Sequence, residues 1–259
     1  MRAWPAAILL ILAAGCSVAR IPEPDADHVL ERVLRASVQV LVEHGSERLR
    51  TGSGVVIGQR AGQGGLDCVI LTTAHTFTSL PAGATVVMLF DRDAGTGARV
   101  PAQEVVAPRE LRELDLALLR GRPERCAPTE LGGVPTLGAP VWAVGFPWGR
   151  GLRLVGGIVS QVMFEELVDG RGPARLMIDA SVASGVSGGG VFDARTGDLL
   201  GLVEGFGTAR VSFHGRTDGQ YVDVPMPGET YVIAGPTIRH FLQRAGYVDV
   251  LGPGARAAR

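Results

Sequence analysis

The sequence predicts an all-β protein with one short C-terminal helix. Short runs of β-branched and aliphatic residues, broken by Gly, Pro and Asp, continue from Ser37 to Ile233. Helical spacing is nearly absent over that stretch, and many short strands separated by turn residues are typical of a sandwich or a pair of barrels. The 259 residues, 46% of them hydrophobic, suffice for one large β domain or two small packed ones.

The strand-like runs fall into two groups of similar size. The segment 120–140 is rich in Pro and Gly and is the natural linker between them. The predicted strands are 37–43, 54–58, 68–72, 85–90 and 116–119 before the linker, and 141–144, 157–162, 176–178, 190–192, 199–203 and 231–233 after it.

Helical spacing occurs only near the two ends of this region. Residues 17–35 are predicted to be a Pro-containing tether followed by a lead-in helix with Val29, Leu30, Val33 and Leu34 in its apolar face. Pro236 begins an apolar stripe that Gly246 ends, which predicts the C-terminal helix over 236–246. Residues 251–259 are expected to be a disordered tail.

Residues 1–16 have the layout of a secretory signal peptide, with one positive charge, a short apolar run and small residues. The run is too short to span a bilayer comfortably. Its end, Leu12-Ala13-Ala14-Gly15-Cys16, resembles a bacterial lipobox, in which Cys16 is acylated. We therefore expect export to the periplasm or cell envelope as a lipid-anchored protein, with ordinary cleavage and secretion as the alternative.

Composition excludes several partners and leaves one question open. The formal net charge of −1 gives no reason to expect nucleic acid or a charged membrane surface as a partner, so the membrane enters only through the lipid anchor. The His and Cys residues have no metal-ligand spacing, and no phosphate-binding loop is present, so no metal or cofactor is expected. Cys68 and Cys126 are either a disulfide or two free thiols.

Ser187 lies in Gly185-Val-Ser-Gly-Gly189, which fits two hydrolase signatures or an incidental Gly-rich loop. As G-x-S-x-G it would be the nucleophile elbow of an α/β-hydrolase, which needs an acid and then a His after the Ser. Only His214 and His240 follow Ser187, in a polar loop and in the C-terminal helix, and strand–helix alternation is missing. The elbow interpretation therefore fails.

His75 and Asp115 precede Ser187 in the order His, Asp, Ser. His75 ends the apolar run Val69-Ile-Leu-Thr-Thr-Ala-His75, so a rigid strand would hold its ring. Asp115 begins the run Asp115-Leu-Ala-Leu-Leu and can be buried against the imidazole. Either residue alone has an ordinary structural explanation, but all three in this order and setting are far less expected by chance.

These segments resemble the trypsin-like serine proteases, in particular the HtrA/Deg branch, over about residues 37–246. Further matching segments are Thr51-Gly-Ser-Gly-Val-Val-Ile, Gly145-Phe-Pro, Gly157-Ile-Val-Ser160, Asp179-Ala-Ser and Leu200-Gly-Leu. The resemblance implies a domain of residues 36–250 with two perpendicular six-stranded antiparallel barrels, about 36–122 and 136–235, and a site between them. It implies a serine endopeptidase that cleaves proteins or peptides without a cofactor.

The resemblance also implies a role for each site residue. Ser187 is the nucleophile, His75 its general base, and Asp115 fixes the imidazole tautomer, while the backbone N–H groups of Gly185 and Ser187 form the oxyanion hole. Ser181 lies at the base of the primary pocket, and this small uncharged residue favours a small or medium aliphatic residue before the cut. One pocket wall is the strand with Leu202, Val203 and Glu204, and an inward Glu204 would favour basic residues instead.

Three features depart from the family pattern. Val186 replaces the Asp with which digestive relatives bind a newly cut N-terminus, so activation by N-terminal cleavage is not expected. Thirteen residues follow Gly246 (259 minus 246), so a PDZ domain is not expected. The long polar segment 206–228 is predicted to be a loop that could block the cleft. It keeps a second function open, a catalytically silent module that binds peptides or partner proteins.

Overall fold

The structure, a computed structural model, describes residues 26–62, 64–90, 97–167, 170–212 and 221–252. Within them the chain forms two β units joined by a linker, with one helix before them and one after. The predicted signal peptide and lipobox with Cys16, and the tether up to residue 25, lie outside the described residues. Residues 253–259 of the predicted tail do so as well, whereas Leu251 is buried in the core.

The first unit is a seven-stranded antiparallel sheet with the order β5-β4-β1-β2-β3-β7-β6. Two of its strands, β5 and β6, have only three residues each and lie at the edges, which explains why the sequence pattern did not reveal them. The strands are β1 (Ser37–His44), β2 (Glu47–Gly62), β3 (Gly65–Thr73), β4 (Thr85–Leu89), β5 (Arg99–Pro101), β6 (Glu104–Val106) and β7 (Leu116–Gly121).

The second unit is a closed six-stranded barrel with the order β10-β13-β12-β11-β8-β9. The all-β prediction with two β units and a C-terminal helix is confirmed. The second unit has the expected six strands, whereas the first has seven instead of six because of the two short edge strands. The strands are β8 (Pro140–Gly145), β9 (Arg153–Leu167), β10 (Gly170–Ile178), β11 (Gly190–Asp193), β12 (Leu199–Ser212) and β13 (Tyr221–Ala234).

Two α-helices flank the sheets and bury their apolar faces against them. Helix α1 (Ala26–Ala36) buries Val29 and Val33. Helix α2 (Gly235–Arg244) has a Pro in its first turn, buries Phe241, and is followed by Gly246 at φ 73°, close to the predicted helix. Neither helix has the length and apolar character needed to cross a membrane, a finding that covers the described part of the chain.

The largest hydrophobic cluster joins the two β units to each other and to both helices. It combines side chains from β2, β3 and β7 with others from β8, β11, β12 and β13, and it is sealed by α2. Burial at this scale supplies the main stabilisation of a domain. The two units are therefore held in a fixed relation, which matters because the candidate site takes residues from both. The largest fully buried side chains in this cluster are Phe192, Phe241, Leu71, Leu116 and Leu118.

The linker 122–139 is attached to the first unit by a disulfide. Cys68 on β3 is bonded to Cys126, with the two Cα atoms 5.8 Å apart. The sequence had left a disulfide and two free thiols equally open, because spacing along the chain carries no information about separation in space. The bond decides this question in favour of the disulfide.

The segment 206–228 corrects a sequence prediction. It is not an irregular loop in the residues described: Phe206–Ser212 continue β12 and Tyr221–Gly228 begin β13, paired in register from Thr208↔Pro225 to Ser212↔Tyr221. This hairpin arm extends beyond the barrel, and Val211, Val222 and Val224 are exposed on it. Because neither face is buried on a core, the sequence lacks a clear alternation of apolar and polar residues, and polar content was misleading there.

Candidate active site

His75 and Asp115 meet where two strands of the first unit come together. His75 lies in a short 3₁₀ turn directly after β3, and Asp115 directly precedes β7, which pairs with β3. The Asp115 carboxylate accepts two hydrogen bonds from His75, one from the backbone N–H at 2.8 Å and one from ring Nδ1 at 2.7 Å. The clamp fixes both the position and the orientation of the imidazole.

Ser187 lies in the turn before β11, and this turn packs against the first unit. The backbone N–H of Ser53 on β2 donates to the Ser187 carbonyl at 2.8 Å. Gly188 has φ 82°, and a Cβ at this position would lie 2.2 Å from the Ser53 carbonyl oxygen. Thr72 and Thr73, which end β3 just before His75, are the next contacts. Ser187 and His75 are thus brought to the same boundary between the two units.

The two N–H groups expected to form an oxyanion hole have fixed directions. The Ser184 carbonyl accepts from the N–H of Trp148 at 2.7 Å, and the Val186 carbonyl accepts from Gly189 at 2.7 Å. Because N–H and C=O point in opposite directions in a trans peptide, these bonds orient the N–H groups of Gly185 and Ser187. Neither N–H has an acceptor within the part of the chain that the structure describes.

The side chain of Ser53 supports the site, a role that the sequence did not predict. It is fully buried, its hydroxyl donates to the Gly185 carbonyl at 2.8 Å, and it accepts the N–H of Phe146 at 2.9 Å. Gly185 itself has φ 92°, and a Cβ there would lie 2.8 Å from the Phe146 carbonyl. The hydrogen-bond partners of Ser53, Gly185 and Phe146, are 132 and 93 residues away along the chain, so no local sequence signal indicates where the Ser53 hydroxyl points.

Comparison with known proteins identifies the family. The family model of the trypsin-like peptidase domain matches residues 52–202, more than half of the chain. The chain belongs to the trypsin-like peptidase family.

Two proteins illustrate what this trypsin-like peptidase is similar to. A mouse (Mus musculus) peroxisomal leader peptide-processing protease is 32% identical over 217 residues, with 77% of this chain and 34% of that protein covered, so the chain spans about a third of its length. The crystal structure of a serine endoprotease from Yersinia pestis matches with a TM-score of 0.60 at 20% identity. The match covers 91% of this chain and 68% of the Yersinia chain, and at this identity it shows a likeness of fold.

The hydroxyl of Ser187 in this trypsin-like peptidase is held by a backbone carbonyl. Its Oγ donates to the Glu204 carbonyl at 3.3 Å. Among the described residues, no hydrogen bond joins it to the His75 ring.

The environment of His75 raises its pKa above the ordinary value of 6.5. The hydrogen bond to Asp115 is the largest cause, partial burial of the ring works against it, and the charges of Asp115 and Glu204 add to the rise. Arg50 opposes it by its charge, and its guanidinium donates to the His75 carbonyl at 3.0 Å. The ring is therefore a stronger base than a free imidazole.

The predicted pocket residues have different surroundings. Ser181 is exposed at the rim of a small cavity of about 10 Å³, which Val186 and Arg153 also line. The side chains of Leu202 and Val203 are fully buried in the two cores, which leaves their backbone as the part that substrate could meet. The Glu204 carboxylate accepts two hydrogen bonds from Arg175, at 2.7 and 3.1 Å.

Val186 is buried beside apolar side chains of the barrel, so no carboxylate lies at the position before Ser187. Within the described residues, no group of three or more His, Cys, Asp or Glu side chains is arranged to hold a metal ion. The chemistry available at the site is that of a hydroxyl, an imidazole with a bound carboxylate, and backbone N–H donors.

Proposed function

We propose that this trypsin-like peptidase is a serine endopeptidase that hydrolyses peptide bonds through an acyl-enzyme. Ser187 is the nucleophile, His75 the general base and then general acid, and Asp115 the residue that orients the imidazole. The backbone N–H groups of Gly185 and Ser187 bind the oxyanion. The fold likeness to a serine endoprotease and the family membership support this reaction class.

The observation that carries the proposal is the pair of hydrogen bonds between Asp115 and His75, beside the turn that contains Ser187. With Nδ1–H bound to the carboxylate, the imidazole is held in the tautomer whose Nε2 is an acceptor. A base of raised pKa accepts a proton from a hydroxyl more readily than free histidine does. A structural Asp–His pair would not need to border a serine turn with two oriented donors.

The reaction begins when Ser187 Oγ turns from the Glu204 carbonyl to Nε2 of His75. Oγ then attacks the substrate carbonyl carbon and its proton passes to Nε2, while the carbonyl oxygen becomes negative between the two N–H donors. The C–N bond breaks as His75 protonates the leaving amine, and water repeats the steps on the acyl-enzyme. Loss of one oxyanion donor costs about 3 kcal/mol of transition-state stabilisation in comparable sites.

The substrates we propose are proteins or peptides with a small or medium aliphatic residue before the cut. The uncharged Ser181 supports this preference, and so does the neutralisation of Glu204 by Arg175. The mouse relative is named as a peptide-processing protease, which agrees with a polypeptide substrate. We also propose that the chain belongs to the HtrA/Deg branch, because several of its segments resemble that branch. Because Val186 replaces the Asp that would bind a new N-terminus, we propose that the enzyme needs no N-terminal cleavage.

The compartment we propose is the bacterial periplasm or cell envelope, with Cys16 as the lipid-bearing residue. The Cys68–Cys126 disulfide supports export, because such bonds persist in oxidising compartments. Fractionation of expressing cells, with Cys16→Ala as the comparison, tests the anchor.

Replacement of the nucleophile tests the proposed reaction. Ser187→Ala is expected to abolish hydrolysis of an unfolded protein substrate without loss of stability, because the hydroxyl is used in the reaction and makes a single long hydrogen bond among the described residues. Ser212→Ala, on the exposed hairpin arm, is the matched control and should hydrolyse at the wild-type rate. Undiminished turnover by purified Ser187→Ala would contradict the assignment.

A further inference from the structure

Glu204 is the extra residue of a bulge in β12. Val203 pairs with Val232 and Gly205 pairs with Tyr231, so one residue of β12 between them has no partner on β13. A bulge beside a site bends the strand locally and gives a side chain a new direction. At this bulge the backbone and the side chain of Glu204 take separate partners.

The backbone of Glu204 binds the nucleophile, and its side chain binds Arg175 on β10. The carbonyl accepts the Ser187 hydroxyl at 3.3 Å. The carboxylate accepts Nε and Nη2 of Arg175 at 2.7 and 3.1 Å, the two-pronged geometry in which Arg and carboxylate bind most strongly. The Arg175 and Glu204 side chains are 28% and 25% exposed, so the ion pair is partly open to solvent.

The charges around the His75 ring come from three directions. Asp115 precedes β7, Glu204 lies on β12, and Arg50 lies on β2. Arg175 forms an ion pair with Glu204 and offsets its charge. Glu204 thus combines a backbone contact to Ser187 with an electrostatic effect of its carboxylate on His75.

We propose that Arg175 and Glu204 are a positioning pair. Arg175 holds the bulge that presents the Glu204 carbonyl to Ser187, it sets how much of the Glu204 charge acts on the His75 ring, and it neutralises a carboxylate that would otherwise select basic substrate residues. The proposal rests on the proposed function, since it describes how that site is tuned. Arg175 occupies the place of a substrate Arg or Lys, which explains how an acidic residue can border a site without recruiting cationic peptides.

Two single substitutions test the charges of Glu204 and Arg175 one at a time. Glu204→Gln keeps the shape and the carbonyl but removes the negative charge, so the acid limb of kcat/KM against pH should move to lower pH than in wild type. Arg175→Gln exposes the carboxylate, so that limb should move to higher pH. In a peptide library the same variant should gain about fivefold in relative kcat/KM for substrates with Arg or Lys beside the cut.

Two further variants serve as controls. Arg175→Lys keeps the positive charge and should restore the acid limb and the neutral preference close to wild type. Asp223→Asn breaks the Arg210–Asp223 pair, another ion pair of β12 that joins it to β13 on the exposed arm, and should change neither readout. Near-ultraviolet circular dichroism verifies the fold of each variant.

The outcomes distinguish this inference from the proposed function. If the wild type hydrolyses peptides but Glu204→Gln has an unmoved acid limb, the pair does not tune the base and the inference is overturned. Its specificity part is overturned if Arg175→Gln gains no basic preference. A wild type without any hydrolysis would overturn the proposed function itself.

Discussion

Asp115 has an unusual backbone conformation for a residue with a side chain. Its φ of 51° lies in the left-handed region, which costs free energy for residues other than Gly. The conformation directs the carboxylate to both N–H groups of His75, and the Asp115 carbonyl accepts the N–H of Ala74 at 3.0 Å. The strain is thus offset by three hydrogen bonds around the His75 turn.

The raised pKa of His75 predicts the pH dependence of hydrolysis. In the proposed reaction only the neutral ring accepts the Ser187 proton, so kcat/KM should fall as the pH falls through the pKa of His75. Because the hydrogen bond to Asp115 and the carboxylate charges raise that pKa, the fall should begin at a higher pH than for a histidine of ordinary pKa 6.5. Peptide hydrolysis between pH 5 and 9 measures it.

Asp115→Asn is the comparison for this pH profile. It removes the largest cause of the raised pKa, so the acid limb should move to lower pH, and kcat should drop by about 10⁴-fold as the tautomer is lost. An acid limb that stays in place in Asp115→Asn would mean that another group controls it.

At the scale of elements, the disulfide attaches the linker to β3. It closes a loop between residues 58 apart in sequence, and loop-closure entropy for that separation predicts a stabilisation of about 4 kcal/mol in the chain-entropy account. The double variant Cys68→Ala/Cys126→Ala should therefore unfold at lower denaturant concentration than wild type. Reductant should lower the wild-type midpoint and leave that of the double variant unchanged. Equal midpoints for wild type with and without reductant would contradict this role.

Strands with a buried face were predictable from sequence, and strands without one were not. The eleven predicted runs all lie within or overlap observed strands, because β-branched residues facing a core leave a clear pattern. The arm formed by the ends of β12 and β13 has exposed residues on both faces and was mistaken for a loop. The order of His75, Asp115 and Ser187 was readable along the chain. The contacts of Ser53 and Arg175 were not, since they depend on how distant strands are placed in space.

At the scale of the whole molecule, the site depends on the contact between the two β units. Gly188 fits where a Cβ would lie 2.2 Å from the Ser53 carbonyl and 2.5 Å from Thr72 Oγ1, at a φ that disfavours side chains. Gly188→Ala should therefore lower stability by about 1–3 kcal/mol and reduce hydrolysis, as the Ser187 turn is displaced from β2 and β3. Gly156→Ala is the matched control for both measurements, because among the described residues no atom beyond its two chain neighbours lies within 4 Å of the added Cβ. Wild-type activity in Gly188→Ala would contradict the close packing at this boundary.

The central claim is that Ser187, activated by His75, is the nucleophile, and a covalent label tests it most directly. A fluorophosphonate reacts with an activated serine and not with an ordinary hydroxyl, so peptide mapping by mass spectrometry should find one adduct, on Ser187. Ser187→Ala should take no label, and His75→Ala should react far more slowly. Absence of an adduct on Ser187 in the folded wild-type protein would contradict the account and favour a silent binding module.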